Sequence, residues 1–197
     1  MGKSETSLGR PREFNVDVVL KAAMNQFWER GYHATSLTDL TTATGLHRGS
    51  LYGAFGDKHQ LFLTALQYYS RLSLTALDTS LQAEASPLAG IRRYLLDQAA
   101  QATAGRGCLI ANTTLELLPG DQEVARVVVS HQQSVEERLG AALHQAVVVG
   151  EIADKRSTAI LAHYLLTVAQ GLWESGRTTS DISKLSEVID AALSMLL

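Results

Sequence analysis

The stretch TGLHRGSLYGAFGDK, residues 44–58, gathers polar and basic side chains at the spacing of one short helix. His47, Arg48 and Ser50 stand at its start, Tyr52 one turn on, and Lys58 just past its end. An arginine can donate two parallel hydrogen bonds to a guanine edge, and serine or imidazole can donate to or accept from a base. Gly49 has no side chain, so backbone there can approach a partner closely. A tyrosine hydroxyl and a lysine ammonium beside a helix N-terminus suit phosphate oxygens. Thr35, Ser36 and Thr38, ahead of this stretch, add hydroxyl or backbone donors of the same use. Such a set suits contact with base edges and phosphates rather than bond breaking. Taken singly, Tyr52 also suits a half-buried core aromatic, and Lys58 a solvated helix start.

These residues need short helices to hold them. Val16, Leu20, Ala23 and Phe27 recur at helical spacing between a capping Asn15 and a terminating Gly31. Ser36 followed by Asp39 resembles a capping box and starts a helix over 37–44 that Gly45 stops. A third helix over about 47–54 turns Leu51 and Phe55 inward. Two short helices joined by a glycine turn form a helix-turn-helix unit, whose second helix meets base edges in the major groove. Further helices are predicted over about 57–83, from Pro87 to the AGRG at 104–107, and over CLIANTTLELL up to Pro119. Three more follow over about 121–149, 155–175 (capped by Asp154) and 181–196 (capped by Ser180 or Asp181). In the fourth helix Leu61, Ala65, Leu66, Tyr69, Leu72, Ala76 and Leu77 mark the buried side.

Composition bounds the alternatives. The chain has 197 residues, three prolines and a formal net charge of −3. Residues 1–60 carry +1 and residues 61–197 carry −4, a weak asymmetry of the sign that suits DNA at the N-terminus. One cysteine, Cys108, precludes an intrachain disulfide and fits a cytoplasmic protein. No segment has the length and apolarity of a membrane span. Paired catalytic residues, a phosphate loop, a nucleophile elbow and spaced metal ligands are all missing from the pattern, so no enzyme, cofactor or metal is expected.

TSLTDLTTATGLHRGSLYGAFGDKHQLF, residues 35–62, resembles the tetracycline-repressor (TetR) family of transcriptional regulators. The match includes the Thr-Ser helix start, Gly45, Gly49, Leu51-Tyr52, Phe55, Lys58 and Leu61-Phe62; GRPREF ahead of the first helix is also common there. The resemblance implies an all-α fold of about nine helices. It implies a flexible basic arm (1–14), a helix-turn-helix DNA-binding domain (15–60) and an effector-binding and dimerisation domain (61–197). It further implies a homodimer on a palindromic operator, with repression relieved by a small-molecule effector. By position, His47, Arg48, Gly49 and Ser50 fall at base and nearby contacts, Tyr52 and Lys58 at phosphates, with Arg10 and Arg12 in the arm. His47 stands where serine or threonine is frequent, and Gly53-Ala54 replace larger residues that often touch DNA. The competing reading is a dimeric helical sensor or interaction protein with weak or lost DNA binding.

The second domain should hold the effector among its middle helices. The groups expected to line that site are Tyr68, Tyr69, Cys108, Asn112, Glu116, His131 and His163. Cys108 begins a helix close to Arg106, which favours a thiolate, and GCL with Asn112 resembles a segment in relatives that sense electrophiles or oxidants. Lone cysteines also serve as small buried hydrophobes. Leu161, Leu165, Val168 and Leu172, then Leu185, Ile189 and Leu193, form apolar stripes on the last two helices. They are expected to meet a second copy in a four-helix bundle; a thick monomer core is the other reading.

Overall fold

The computed structural model describes residues 14–153, 157–179 and 181–197. Nine α-helices and no strand are found among them: α1 Val16–Arg30, α2 Leu37–Thr44, α3 Arg48–Phe55, α4 Lys58–Gln82, α5 Pro87–Thr103, α6 Leu109–Leu117, α7 Gln122–Val148, α8 Thr158–Gly176 and α9 Ile182–Ser194. Residues 1–13 of the expected arm, with Arg10 and Arg12, lie outside the described residues, as do Asp154 and Ser180.

Local chemistry accounts for most boundaries. Asn15 Oδ1 accepts from the Asp17 and Val18 N–H groups and starts α1. Ser36 and Asp39 form the reciprocal capping box of α2; a cap of this kind stabilises by about 1 kcal/mol. Gly45 ends α2 at φ 69°, the left-handed conformation that glycine adopts without strain. His47 occupies the cap position of α3 but gives it no side-chain hydrogen bond. Asp57 caps α4, Ser86 and Pro87 start α5, and Asp181 starts α9. The eighth helix begins at Thr158, later than expected, with Ser157 ahead of it.

The apolar side chains collect in two clusters. One joins α1, α2, α3 and the first half of α4 to α6 and the start of α7, through Phe27, Leu40, Leu51, Phe62, Leu109, Leu117 and Val124. The Phe27 and Phe62 rings meet edge to face at 4.9 Å. The other joins the far half of α4 to α5, α7, α8 and α9. Leu72 and Ala76 were expected on the buried side of α4, but both are exposed where the helix passes from one cluster to the other.

The second cluster corrects the expected interface. Leu161, Leu165, Leu172, Leu185 and Ile189 are fully buried within a single chain, with Val168 and Leu193 packed against them. The two C-terminal helices are apolar on that side because α5 and α7 cover it. Among the residues they leave exposed are Ile160, Thr167 and Gly171 on α8 and Val188 and Ala191 on α9, beside His163, Lys184, Glu187 and Asp190.

Candidate nucleic-acid interface and effector cavity

The N-terminal end of α3 is open. His47, Arg48, Gly49 and Ser50 are all exposed, and a Cβ built on Gly49 or Gly53 would meet nothing within 4 Å. The inner side of the same helix is anchored by Leu51, which is fully buried, and by Phe55, whose ring lies 6.3 Å from that of Phe14. The helix is thus held from behind while its polar start faces out. The Arg48 guanidinium sits 5.6 Å from the Tyr52 ring centre, which ties the arginine to a half-buried aromatic one turn away.

Lys58 is placed differently from a free surface lysine. Its ammonium lies 4.5 Å from the centre of the Tyr32 ring, and partial burial lowers its pKa. Ser36 and Thr38 are exposed, with the Ser36 hydroxyl donating to Asp39. Thr35 departs from the expected hydroxyl contact. It is fully buried, and its Oγ1 donates to the Gly31 carbonyl at 2.6 Å, so its side chain closes the α1–α2 turn instead of facing a phosphate.

In the C-terminal part, α4, α5, α6, α7 and α8 line a cavity of about 280 Å³ that is open on one side at the exposed Leu115, Glu174 and Arg177. Three of the residues expected around an effector line it: Cys108, Asn112 and His131. Tyr94 and Gln98 of α5, and Trp173 and Arg177 at the end of α8, line it as well. Gln98 Oε1 accepts from Trp173 Nε1 at 3.0 Å, and Asn112 Oδ1 accepts from Arg177 at 3.1 Å. These four were not singled out from sequence, although Tyr94 and Gln98 stand four residues apart on one helical face.

The other expected lining residues lie elsewhere. Tyr69 is buried beside the cavity, and its hydroxyl donates to Cys108 Sγ at 3.5 Å. Tyr68 packs under Arg71 outside it. His163 is exposed and pairs with Glu136 across the α7–α8 surface at 2.7 Å. Glu116 turns toward the α1–α2 turn, where its carboxylate accepts the Tyr32 N–H at 2.9 Å and the His33 N–H at 2.7 Å. A further hydrogen bond, between His59 of α4 and Asp121 at the start of α7, spans 2.7 Å.

Cys108 does not have the environment of a thiolate. Burial pushes its thiol pKa up, against the weaker opposing effect of the Tyr69 hydrogen bond and backbone donors. Arg106, expected to lower it, is instead paired with Glu29 at 2.6 Å and stacked 4.9 Å from the Trp28 ring. Among the described residues no group of His, Cys, Asp and Glu is arranged to hold a metal ion, and no helix is long and apolar enough to cross a membrane.

An outward-facing second helix in a helix-turn-helix, joined to a helical bundle with a cavity, is the architecture of a DNA-binding transcriptional regulator. Residues 19–65 match the family model of bacterial regulatory proteins of the tetR family, and residues 87–192 match the tetracyclin repressor-like C-terminal domain. The chain belongs to the TetR family. It is 31% identical to the HTH-type transcriptional regulator YezE of Bacillus subtilis, over 96% of this chain and 100% of that one. It is also 31% identical to the HTH-type transcriptional repressor ComR of Escherichia coli, over 95% and 91% of the two chains. Among solved structures, a cysteine-substituted form of the TetR-family regulator CifR, complexed with 26-bp double-stranded operator DNA, superposes with a TM-score of 0.84. It is 29% identical and the match covers 96% of this chain and 100% of that one.

Proposed function

We propose that the protein is a homodimeric repressor that binds a palindromic operator through the start of α3 and leaves it when a small effector fills the α4–α8 cavity. Arg48 reads a base edge, with His47 and Ser50 beside it. Tyr52, Ser36 and the α4 N-terminus with Lys58 meet phosphates. The observation that carries this reading is the exposed polar start of α3, backed by a fully buried Leu51. ComR, named a repressor, and CifR, solved on operator DNA, support it.

The dimer forms through the exposed side of α8 and α9 that carries Ile160, Thr167, Gly171, Val188 and Ala191. Ile160 and Val188, 69% and 52% exposed, anchor its two helices. Pairing two copies sets the distance between their α3 helices, which must match one turn of duplex, about 34–36 Å, or a multiple. Residues 15–60 then act as the DNA-binding unit and 61–197 as the sensing and pairing unit. The effector acts by favouring a spacing that does not fit DNA, and its preference for that state limits the response.

Selection from random duplexes, followed by titration at several salt concentrations, tests the proposal. One inverted repeat should emerge, and its affinity should fall steeply with salt. Recovery of unrelated sequences, or binding indifferent to salt, would reject the assignment of α3 to sequence recognition.

A further inference from the structure

The cavity contains two buried polar groups whose hydrogen-bonding capacity is incompletely used. Tyr94 is 6% exposed, and its hydroxyl makes no hydrogen bond among the described residues. His131 is 7% exposed; its Nδ1 meets the Ser70 hydroxyl at 2.9 Å, and its Nε2 has no protein partner. No fully enclosed side-chain nitrogen or oxygen is left without a partner in the described structure. Both free atoms therefore open onto space, and the space that both residues line is the cavity. A guest with an oxygen in reach can hydrogen-bond to these two groups, so they favour a ligand that carries one.

The wall also sets the charge of the guest. Ser73, Gln98, Thr114, Gln132 and Gln170 supply neutral polar groups among apolar Ile110, Val135, Leu166 and Trp173. The charged residues of the wall, Glu174 and Arg177, are both exposed, are of opposite sign, and stand at its outer end. Deeper in, burial and the nearby Arg138 hold the His131 imidazole neutral, with its pKa down at about 4. Loss of hydration deep in the cavity penalises an ionised ligand of either sign, and the nearby Arg138 adds to that only for a cation.

We propose that the cavity takes an uncharged, mainly apolar molecule of about one ring, bearing an oxygen that hydrogen-bonds to Tyr94 and His131. This rests on the reading of the cavity as the effector site and narrows it to a chemical class. The size follows from the volume of about 280 Å³, just below the roughly 300–1,000 Å³ usual for ligand pockets. The Tyr94 hydroxyl donates to the ligand oxygen. His131 donates from Nε2 when the Ser70 hydroxyl donates to Nδ1, and accepts in the other tautomer, so a carbonyl or a hydroxyl compound fits.

The test uses the full-length protein and three one-ring probes: acetophenone, benzoate and benzylammonium. Binding is measured by calorimetry without DNA, and operator release is measured separately on a duplex selected from random sequence. Acetophenone should bind at least tenfold more tightly than either ion. Tyr94→Phe should weaken it several-fold, while Tyr68→Phe, outside the cavity, should leave its Kd unchanged. An ion that binds as tightly as the ketone, no ketone binding at all, or an unaltered Kd in Tyr94→Phe would overturn the assignment. Failure of the regulator reading looks different: the ligand-free protein would show no salt-sensitive binding to any selected duplex.

Discussion

Glu116 of α6 accepts the backbone N–H of His33 at 2.7 Å, joining a helix that lines the cavity to the turn between α1 and α2. The same carboxylate takes the Tyr32 N–H at 2.9 Å. Gly31, at φ 81°, makes room for it: a Cβ there would lie 2.8 Å from Glu116 Oε2. Because α6 also presents Cys108, Asn112 and Leu115 to the cavity, a guest that shifts this helix pulls on the DNA-binding helices directly.

Glu116→Gln should therefore loosen that turn. The amide retains one acceptor and sets an NH2 against the other backbone donor. Hydrogen exchange at Tyr32 and His33 should accelerate, and stability to urea should fall by about 1–2 kcal/mol, as expected for a partly exposed charge-assisted contact. Exchange rates identical to those of the parent protein would show that the contact does not hold the turn.

Arg48 and Lys58 should separate sequence readout from general affinity. Arg48→Ala is expected to cost about 1–3 kcal/mol of binding and to relax preference at one base position per half-site. Lys58→Ala should weaken all duplexes alike and reduce the salt slope by about 1. Lys58 also covers the Tyr32 ring, so its unfolding curve must be recorded beside its binding curve. An Arg48→Ala protein with unchanged selectivity would move base recognition to another residue.

These contrasts show what sequence can carry. The Ser36–Asp39 capping box and the Gly31 and Gly45 stops were legible because each is decided within four residues. The Glu116 contact joins positions 83 and 84 residues apart, and no periodicity announces it; from sequence Glu116 reads as a group facing the effector. Tyr94 and Trp173 meet the same cavity from different helices, so their juxtaposition waits on the packing. The apolar period of α9 was read correctly as a buried face, but a period cannot say what buries it. Ile189 is covered by its own chain rather than by a second copy.

That distinction changes the test of assembly. Ile189→Ala should act on the protomer, destabilising it by about 2–5 kcal/mol through lost burial and a cavity, without a specific effect on pairing. Val188→Glu places a carboxylate on the exposed side of α8 and α9, where the single chain tolerates it and a paired one does not. Light scattering should show a folded monomer, and affinity for the palindrome should drop with it. A folded Val188→Glu dimer would relocate the interface away from α9.

The buried imidazole of His131 should make stability depend on pH in a defined direction. Its folded pKa is lowered from 6.5 to about 4 by burial, reinforced by Arg138. Below pH 6.5 the unfolded chain takes up a proton that the folded chain refuses until about pH 4. The unfolded state then binds more protons, so its share grows as pH falls. The contribution of His131 is fully present above pH 6.5 and is lost progressively down to about pH 4. Between pH 7 and pH 5 the loss is about 2 kcal/mol. Carboxylates contribute little of this, because the shifted ones, such as Asp121, have their pKa lowered and titrate further down. His131→Asn, which can still meet the Ser70 hydroxyl, removes the titration. Urea unfolding of both proteins at pH 7 and pH 5 should show a marked fall for the parent and a much smaller one for the variant. Parallel falls would mean that His131 takes up its proton in the folded state, and the cavity would then tolerate charge where an uncharged ligand is proposed.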